Sequence, residues 1–325
     1  FCNCSKAAFA FVSTNSICQG IQVPVLWPIL FEMGHRITFA YPSFKWRNLA
    51  SHNAGVTVII VGMTDTDPAS PRLFVAASEG DQIARSCKSI GPYLIPDVST
   101  IIDGKTRPIG QISSMSLGNA PYDGGNLIFD SIDEITGELS EEQRAKWIKP
   151  LWGSNEIING GSRYCLWLDD KSWEDAKRVS FIMDRVAATK RMRLQSKDKG
   201  TQLMANRPYQ FREMNSPNKS VIAVPIRSSE NRLWLTAVVL NNTARITNLA
   251  YAIYDGSLID FALISSKLHL KWIETVCGRL ETRLSYSNKM GWHTFPVPNL
   301  TEKNKDDLSQ CAERILLARE VHFPK

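Results

Sequence analysis

Between residues 7 and 63 the apolar positions come in short, nearly continuous runs: AAFAFV, RITFAY and GVTVIIVGM. Apolar runs without alternation suit strands buried on both faces, so this stretch predicts the middle of an α/β sheet. Between the first two runs, VPVLWPILFEMG has helical spacing and ends in Gly34, a residue suited to closing a helix. The polar STNSICQG precedes it as a turn. The segment AYPSFKWRN, residues 40–48, reads as the connection between two strands of that sheet, where ligands of open α/β sheets tend to sit. For a connection it is unusually aromatic: Tyr41, Phe44 and Trp46 alternate with the cations Lys45 and Arg47.

From about residue 64 the texture changes. Gly, Pro, Ser and Asn are frequent, and the apolar stretches RYCLWL, SVIAVPI and LWLTAVVL are short strand candidates. DDKSWEDAKRVSFIMDRVAATKRMR reads as a helix that Asp169 or Asp170 caps. NAPYDGGNL is a turn-rich loop whose glycines permit tight turns or close backbone approach. The chain's last stretch is mainly helical, through SSKLHLKWIETVCGRL and a closing EKNKDDLSQCAERILLAREVH. The division expected from these textures is 1–65, 66–245 and 246–325: an α/β segment, a mixed α+β domain and a helical C-terminal segment. No repeat or low-complexity tract interrupts it.

With 325 residues, 43% hydrophobic, the chain can bury a sizeable core. No apolar run approaches the roughly 20 residues that a membrane-spanning helix needs. The seven cysteines are scattered, and CNC at the start has no second pair or histidine cluster to complete a zinc site. The expectation is reduced thiols in the cytoplasm and no metal. His35, His52, His269, His293 and His322 have no visible partners and read as structural or surface residues.

The net charge of +6 changes the picture more. Residues 186–219 hold eight Lys/Arg against Asp198 and Glu213, and so carry a charge equal to that of the whole chain. Lys190, Arg191, Arg193, Lys197 and Lys199 are candidates for phosphate contacts in a basic groove, with a solvated helix face as the alternative. A second candidate is VPIRSSENRLWL, residues 224–235, where five polar residues interrupt a strand pattern. On an extended segment Glu230 and Arg232 point the same way. Together they can read one base pair, Arg at guanine O6 and N7, Glu at cytosine N4. The alternative is an exposed salt bridge.

Several longer strings carry a resemblance. AFVSTNSICQGIQVPVLWP with FAYPSFKWRNLA resembles the later part of the catalytic domain of the MmeI-like DNA methyltransferases, large type II restriction–modification enzymes that methylate adenine at N6. APYDGGNLI, WIKPLWGSNEIINGGSRYCLWL and VPIRSSENRLWL resemble that family's target-recognition domain. LHLKWIETVCGRLETRLSYSNKMGWHTFPVP resembles its C-terminal segment. There the family usually has Tyr-Asn-Asn-Phe-Pro, where this chain has Trp292, His293 and Thr294 before Phe295 and Pro296.

The resemblance implies the terminal strands of a Rossmann-like methyltransferase sheet, a mixed α+β reader of double-stranded DNA and a helical tail. It implies Phe44, or secondarily Trp46, as the ring that stacks on a flipped base, with Lys45 or Arg47 at a neighbouring phosphate. The alternative is that both rings are core residues of a hairpin. Ser13, Thr14 and Asn15, just after a strand, read as turn or cap residues. The family's Gly-rich S-adenosylmethionine loop and Asn-Pro-Pro-aromatic tetrapeptide do not occur here. The chain is therefore expected to be a C-terminal fragment, inactive alone, whose cofactor is bound mainly by an upstream catalytic part of the same polypeptide. Its expected task is sequence-specific DNA recognition within the enzyme. A stand-alone DNA-binding specificity module is the alternative, and a decayed remnant is a third.

Overall fold

The computed structural model describes residues 8–46, 56–76, 82–96, 99–229, 231–280 and 283–322. They build a mixed α+β architecture of two compact units, each assembled from pieces distant in sequence. One takes the chain up to Gln111 with Arg227–Leu233 and Lys267–Pro298; the other takes Ile112–Ile226, Trp234–Ser266 and the chain from Asn299. The expected segments were contiguous, and these units are not.

The first unit opens with β1 (Phe9–Thr14), α1 (Gln22–Glu32), β2 (Arg36–Lys45), β3 (Thr57–Thr64), β4 (Arg72–Ala76) and β5 (Gln82–Ser86). Their sheet has the order β1-β3-β2-β4-β5. Only the β2–β4 pairing is parallel; the other pairings are antiparallel. β3 lies inside the sheet and is buried almost throughout, as its continuous apolar run requires. β1 departs from that expectation. It is an edge strand with one neighbour, and Phe11 and Val12 are 51% and 55% exposed.

Helix α1 buries Val23 and Trp27, and the Trp27 indole donates to the Ile17 carbonyl at 2.7 Å. It closes as expected at Gly34, whose φ of 88° lets the His35 N–H reach back to the Leu30 carbonyl at 3.1 Å. Ile21, Val25, Ile29 and Met33 recur every fourth residue and remain exposed, which puts them in one stripe along the helix.

The expectation for AYPSFKWRN needs correction. Residues 40–45 are not a connection but continue β2, still paired with β3. Hydrophobicity was already high at RITFAY, and strand pairing simply extends past it. The Trp46 N–H donates to the Val56 carbonyl at 2.8 Å, and Arg47 lies outside the described residues.

The second unit starts with β6 (Ser116–Leu117), β7 (Ile128–Phe129), α2 (Glu141–Trp147), β8 (Ile148–Trp152), α3 (Ser154–Asn159) and β9 (Arg163–Leu166). It continues through α4 (Asp170–Ala176), α5 (Ser180–Leu194), α6 (Lys199–Leu203) and β10 (Ser220–Pro225). The Asp169 carboxylate caps α4 by accepting from the Ser172 N–H at 2.7 Å. The single helix expected there is two, parted between Ala176 and Ser180. β11 (Arg227–Ser228) belongs to the first unit; β12 (Val238–Asn241), β13 (Arg245–Ile246), β14 (Ala250–Tyr254) and α7 (Leu258–Ser265) return to the second. Of LWLTAVVL only the second half forms strand, in β12.

Two four-stranded sheets result, β12-β10-β14-β6 and β13-β8-β9-β7. α8 (Lys267–Val276), β15 (Gly278–Leu280) and β16 (Arg283–Ser285) complete the first unit, with β11-β16-β15 as a small sheet. α9 (Glu302–His322) ends the second unit and packs on α7, its Arg319 guanidinium 5.4 Å from the Phe261 ring centre. No helix among the described residues is long and apolar enough to cross a membrane.

Candidate nucleic-acid interface

Phe44 owes its position to an irregularity in β2. Tyr41 pairs with Ile60 and Phe44 with Val58, so three steps along β2 answer two along β3. The extra residue makes a β-bulge at Pro42–Ser43, where proline's missing N–H is tolerated. A bulge re-aims the side chain that follows it. Phe44 is half-buried, while Trp46 is 43% exposed with its ring centre 6.3 Å away. Such exposure does not suit Trp46 as a hairpin core residue. Lys45, between them, is exposed.

Phe44 and Lys45 line an open cavity of about 460 Å³ within the first unit, a size range in which small-molecule and cofactor sites occur. Pro42, Ile59, Leu94 and Ile95 give it apolar walls, and Asn15, Thr57, Glu274 and Arg279 bring polar groups. Tyr93 is another wall; burial pushes its phenol up to about 12, and its oxygen accepts from the Ile102 N–H at 3.2 Å. The Glu274 carboxylate is paired with Lys271 at 2.7 Å; the Arg279 backbone N–H donates to the Gln19 side chain at 3.1 Å and its guanidinium to the Glu274 carbonyl at 3.4 Å.

From sequence Asn15 reads as a turn or cap residue, and Thr57 lies unremarked within the run GVTVIIVGM. The STN string after the first apolar run was the one local signal for Asn15. Glu274 and Arg279 carried none, because they reach the cavity from α8 and β15, far along the chain.

In the second unit, Lys190 and Arg191 on α5, Lys197 after it and Lys199 at the start of α6 are all exposed. Arg193 is a correction. It is fully buried, and its guanidinium donates to five carbonyls, those of Tyr122, Met204, Arg207, Pro121 and Gln210, at 2.7–3.0 Å. Five N–H donors matched to five acceptors leave nothing for a phosphate. Burial lowers its pKa to about 10, so it stays a cation at neutral pH, with Asp123 as the nearby opposite charge.

Glu230 lies outside the described residues. Arg232 is exposed, but its N–H donates to the Ser229 carbonyl at 3.3 Å in a turn. Its orientation relative to Glu230 lies outside the described residues. The neighbouring Leu233 and Trp234 are 70% and 52% exposed.

Comparison with known families gives two matches in the order expected. The model described as "MmeI, DNA-methyltransferase domain" matches residues 1–75, and "MmeI, target recognition domain" matches residues 96–299. The chain belongs to the MmeI family.

DNA methyltransferase A of Bacillus subtilis (strain 168) is 37% identical over 322 residues, which are 98% of this chain and 36% of that protein. A solved structure of the type IIL restriction–modification enzyme MmeI in complex with DNA is similar at 34% identity with a TM-score of 0.88. That match covers 98% of this chain and 43% of the other. The chain thus spans well under half the length of these relatives. MmeI-family membership implies S-adenosylmethionine, and the family's Gly-rich loop for it does not occur in this sequence. The turn between β1 and α1 is tied to the end of α8, the Gly20 N–H donating to the Val276 carbonyl at 3.1 Å.

Proposed function

We propose that this chain is the DNA-recognition part of an adenine-N6 DNA methyltransferase of a restriction–modification system, working on double-stranded DNA in the cytoplasm. The observation that carries this reading is Phe44, turned by a bulge to the wall of an open cavity in the part of the chain that matches a DNA-methyltransferase domain. Chemistry on a base inside a duplex requires extruding it, and an extruded base needs an aromatic face. Phe44 supplies that face, Trp46 flanks it, and Lys45 with Arg47 meets the adjoining phosphate. Lys190, Arg191, Lys197 and Lys199 hold more distant phosphates, and Glu230 with Arg232 reads bases in a groove. S-adenosylmethionine supplies the methyl group and is held elsewhere in the polypeptide.

In this reading β1 to β3 are terminal strands of a Rossmann-like catalytic sheet. The remainder of that domain covers the exposed Phe11 and Val12 and the α1 stripe of Ile21, Val25, Ile29 and Met33. Two features support that occupant: a contiguous apolar stripe on a helix needs a partner, and the relatives are more than twice as long as this chain.

The test is to express the full-length polypeptide in a methylation-deficient bacterial host and map modified bases by single-molecule sequencing. N6-methyladenine at one short motif, lost on Phe44→Ala, is the expected result. An unmodified genome, or a methylated base other than adenine, contradicts the reading.

A further inference from the structure

The cavity beside Phe44 contains two polar groups that have no partner among the described residues. Asn15 is only 8% exposed, lines the cavity, and its buried Nδ2 donates to nothing. Thr57 lines the same cavity, and its buried Oγ1 also lacks a hydrogen bond. Buried polar groups are nearly always satisfied, so two orphans on one cavity wall call for an explanation. Two charged groups there have partners: the Glu274 carboxylate pairs with Lys271, and the Arg279 guanidinium donates to the Glu274 carbonyl at 3.4 Å.

Strand register brings the two orphans together beside the aromatic ring. Thr14 pairs with Val58 on one side of β3, and Phe44 pairs with the same Val58 on the other. Asn15 follows Thr14 and Thr57 precedes Val58, so both stand at the sheet end where the bulge aims Phe44. Any molecule whose flat face meets Phe44 lies within the same cavity as these two groups.

We infer that Asn15 and Thr57 read the edge of the extruded base, Asn15 donating from Nδ2 to a ring nitrogen and Thr57 bonding through Oγ1 to a neighbouring edge atom. This rests on the proposal that Phe44 stacks on that base, and deepens it by assigning specificity to two side chains. A planar aza-aromatic ring provides what the cavity lacks: a face for Phe44, and unprotonated ring nitrogens as acceptors for an orphan amide. A purely apolar occupant would leave both groups unsatisfied.

The experiment uses the full-length protein and duplexes carrying its methylation motif, with the target adenine replaced by 1-deaza-, 3-deaza- or 7-deazaadenine. Each analogue deletes one acceptor. Methyl transfer is measured as kcat/KM for wild type, Asn15→Ala, Asn15→Asp (same shape, no donor) and Thr57→Val. Extrusion is followed separately by 2-aminopurine fluorescence at the target position. One deaza replacement should lower wild-type kcat/KM about tenfold or more, yet cost Asn15→Ala and Asn15→Asp little further, because the bond it deletes is already gone. Thr57→Val should lower kcat/KM for adenine several-fold while keeping the fluorescence rise.

Equal penalties for all three analogues in wild type and in whichever of these variants fold would overturn the inference. If fluorescence still rises in wild type and fails in Phe44→Ala, the stacking proposal survives that result. No fluorescence rise in wild type overturns both.

Discussion

Arg193 and its neighbours Lys190 and Arg191 are indistinguishable as a charge run, yet they do opposite things. The helix turns two of them outward and drives the third into a ring of five carbonyls. Nothing local betrays this, because the acceptors come from residues 121–122 and 204–210. Arg193→Met should destabilise the protein by about 3–5 kcal/mol, since five carbonyls around a buried site lose their donor. Lys190→Ala should stay within about 0.5 kcal/mol. Urea unfolding of the two variants distinguishes them, and equal midpoints would contradict the buried role.

His269 makes a second residue-scale case. It is fully buried among Tyr286, Trp292 and Phe295, its Nε2 3.0 Å from the Tyr286 hydroxyl, and burial lowers its pKa to about 3. The unfolded chain protonates this histidine below about pH 6.5 while the folded one does not until about pH 3. Its contribution to stability is therefore complete above pH 6.5 and lost as the pH falls toward 3. At pH 5 the loss should be about 2 kcal/mol. His269→Phe, which keeps the ring, should reduce the difference between pH 7 and pH 5 unfolding midpoints; an unchanged difference would assign the acid sensitivity to other groups.

Elements were legible where a pattern is local. The α1 helix with its Gly34 stop, the Asp169 cap, β9, β10, α8 and α9 all follow from spacing and capping within a few residues. β2 was misread at its end because a bulge breaks alternation without breaking pairing, and proline there looks like a turn. The same limit applies to the site. Phe44 stood out as an aromatic beside cations, whereas Thr57 reads as an ordinary strand residue until β3 is paired. For the α5–α6 region the proposal predicts a measurable electrostatic footprint. Each phosphate neutralised releases counterions, so Ala at Lys190, Arg191, Lys197 or Lys199 should each lower the slope of log affinity against log salt by about 1 if that residue touches DNA. All sequences should be weakened alike. Binding titrations of the full-length protein between low and physiological salt read this directly. Slopes unchanged in all four variants would leave these residues as a solvated face.

At the scale of the whole molecule, texture suggested three successive segments, whereas the chain folds into two units that each collect distant pieces. Hydrophobic periodicity reports which residues are buried, not what they are buried against, so such long-range assembly was out of its reach. The exposed stripe on α1 presents the same problem in reverse: Ile21, Val25, Ile29 and Met33 have the spacing of a packed face, and among the described residues nothing covers it. If the rest of a catalytic domain seats there, the stripe contributes nothing to the stability of this chain alone and much to the full-length enzyme. Val25→Glu should then leave unfolding of the 325-residue chain within about 0.5 kcal/mol of wild type. In the full-length protein, the same change places a carboxylate in an apolar interface without a partner, and should lower stability and methyl transfer together. The isolated chain, incubated with labelled S-adenosylmethionine and mixed-sequence DNA, should transfer no label above background, because it has neither the Gly-rich S-adenosylmethionine loop nor the Asn-Pro-Pro-aromatic tetrapeptide. Robust transfer by the isolated chain would mean that a complete catalytic site lies within these residues, and would remove the reason for assigning the stripe to a missing catalytic partner.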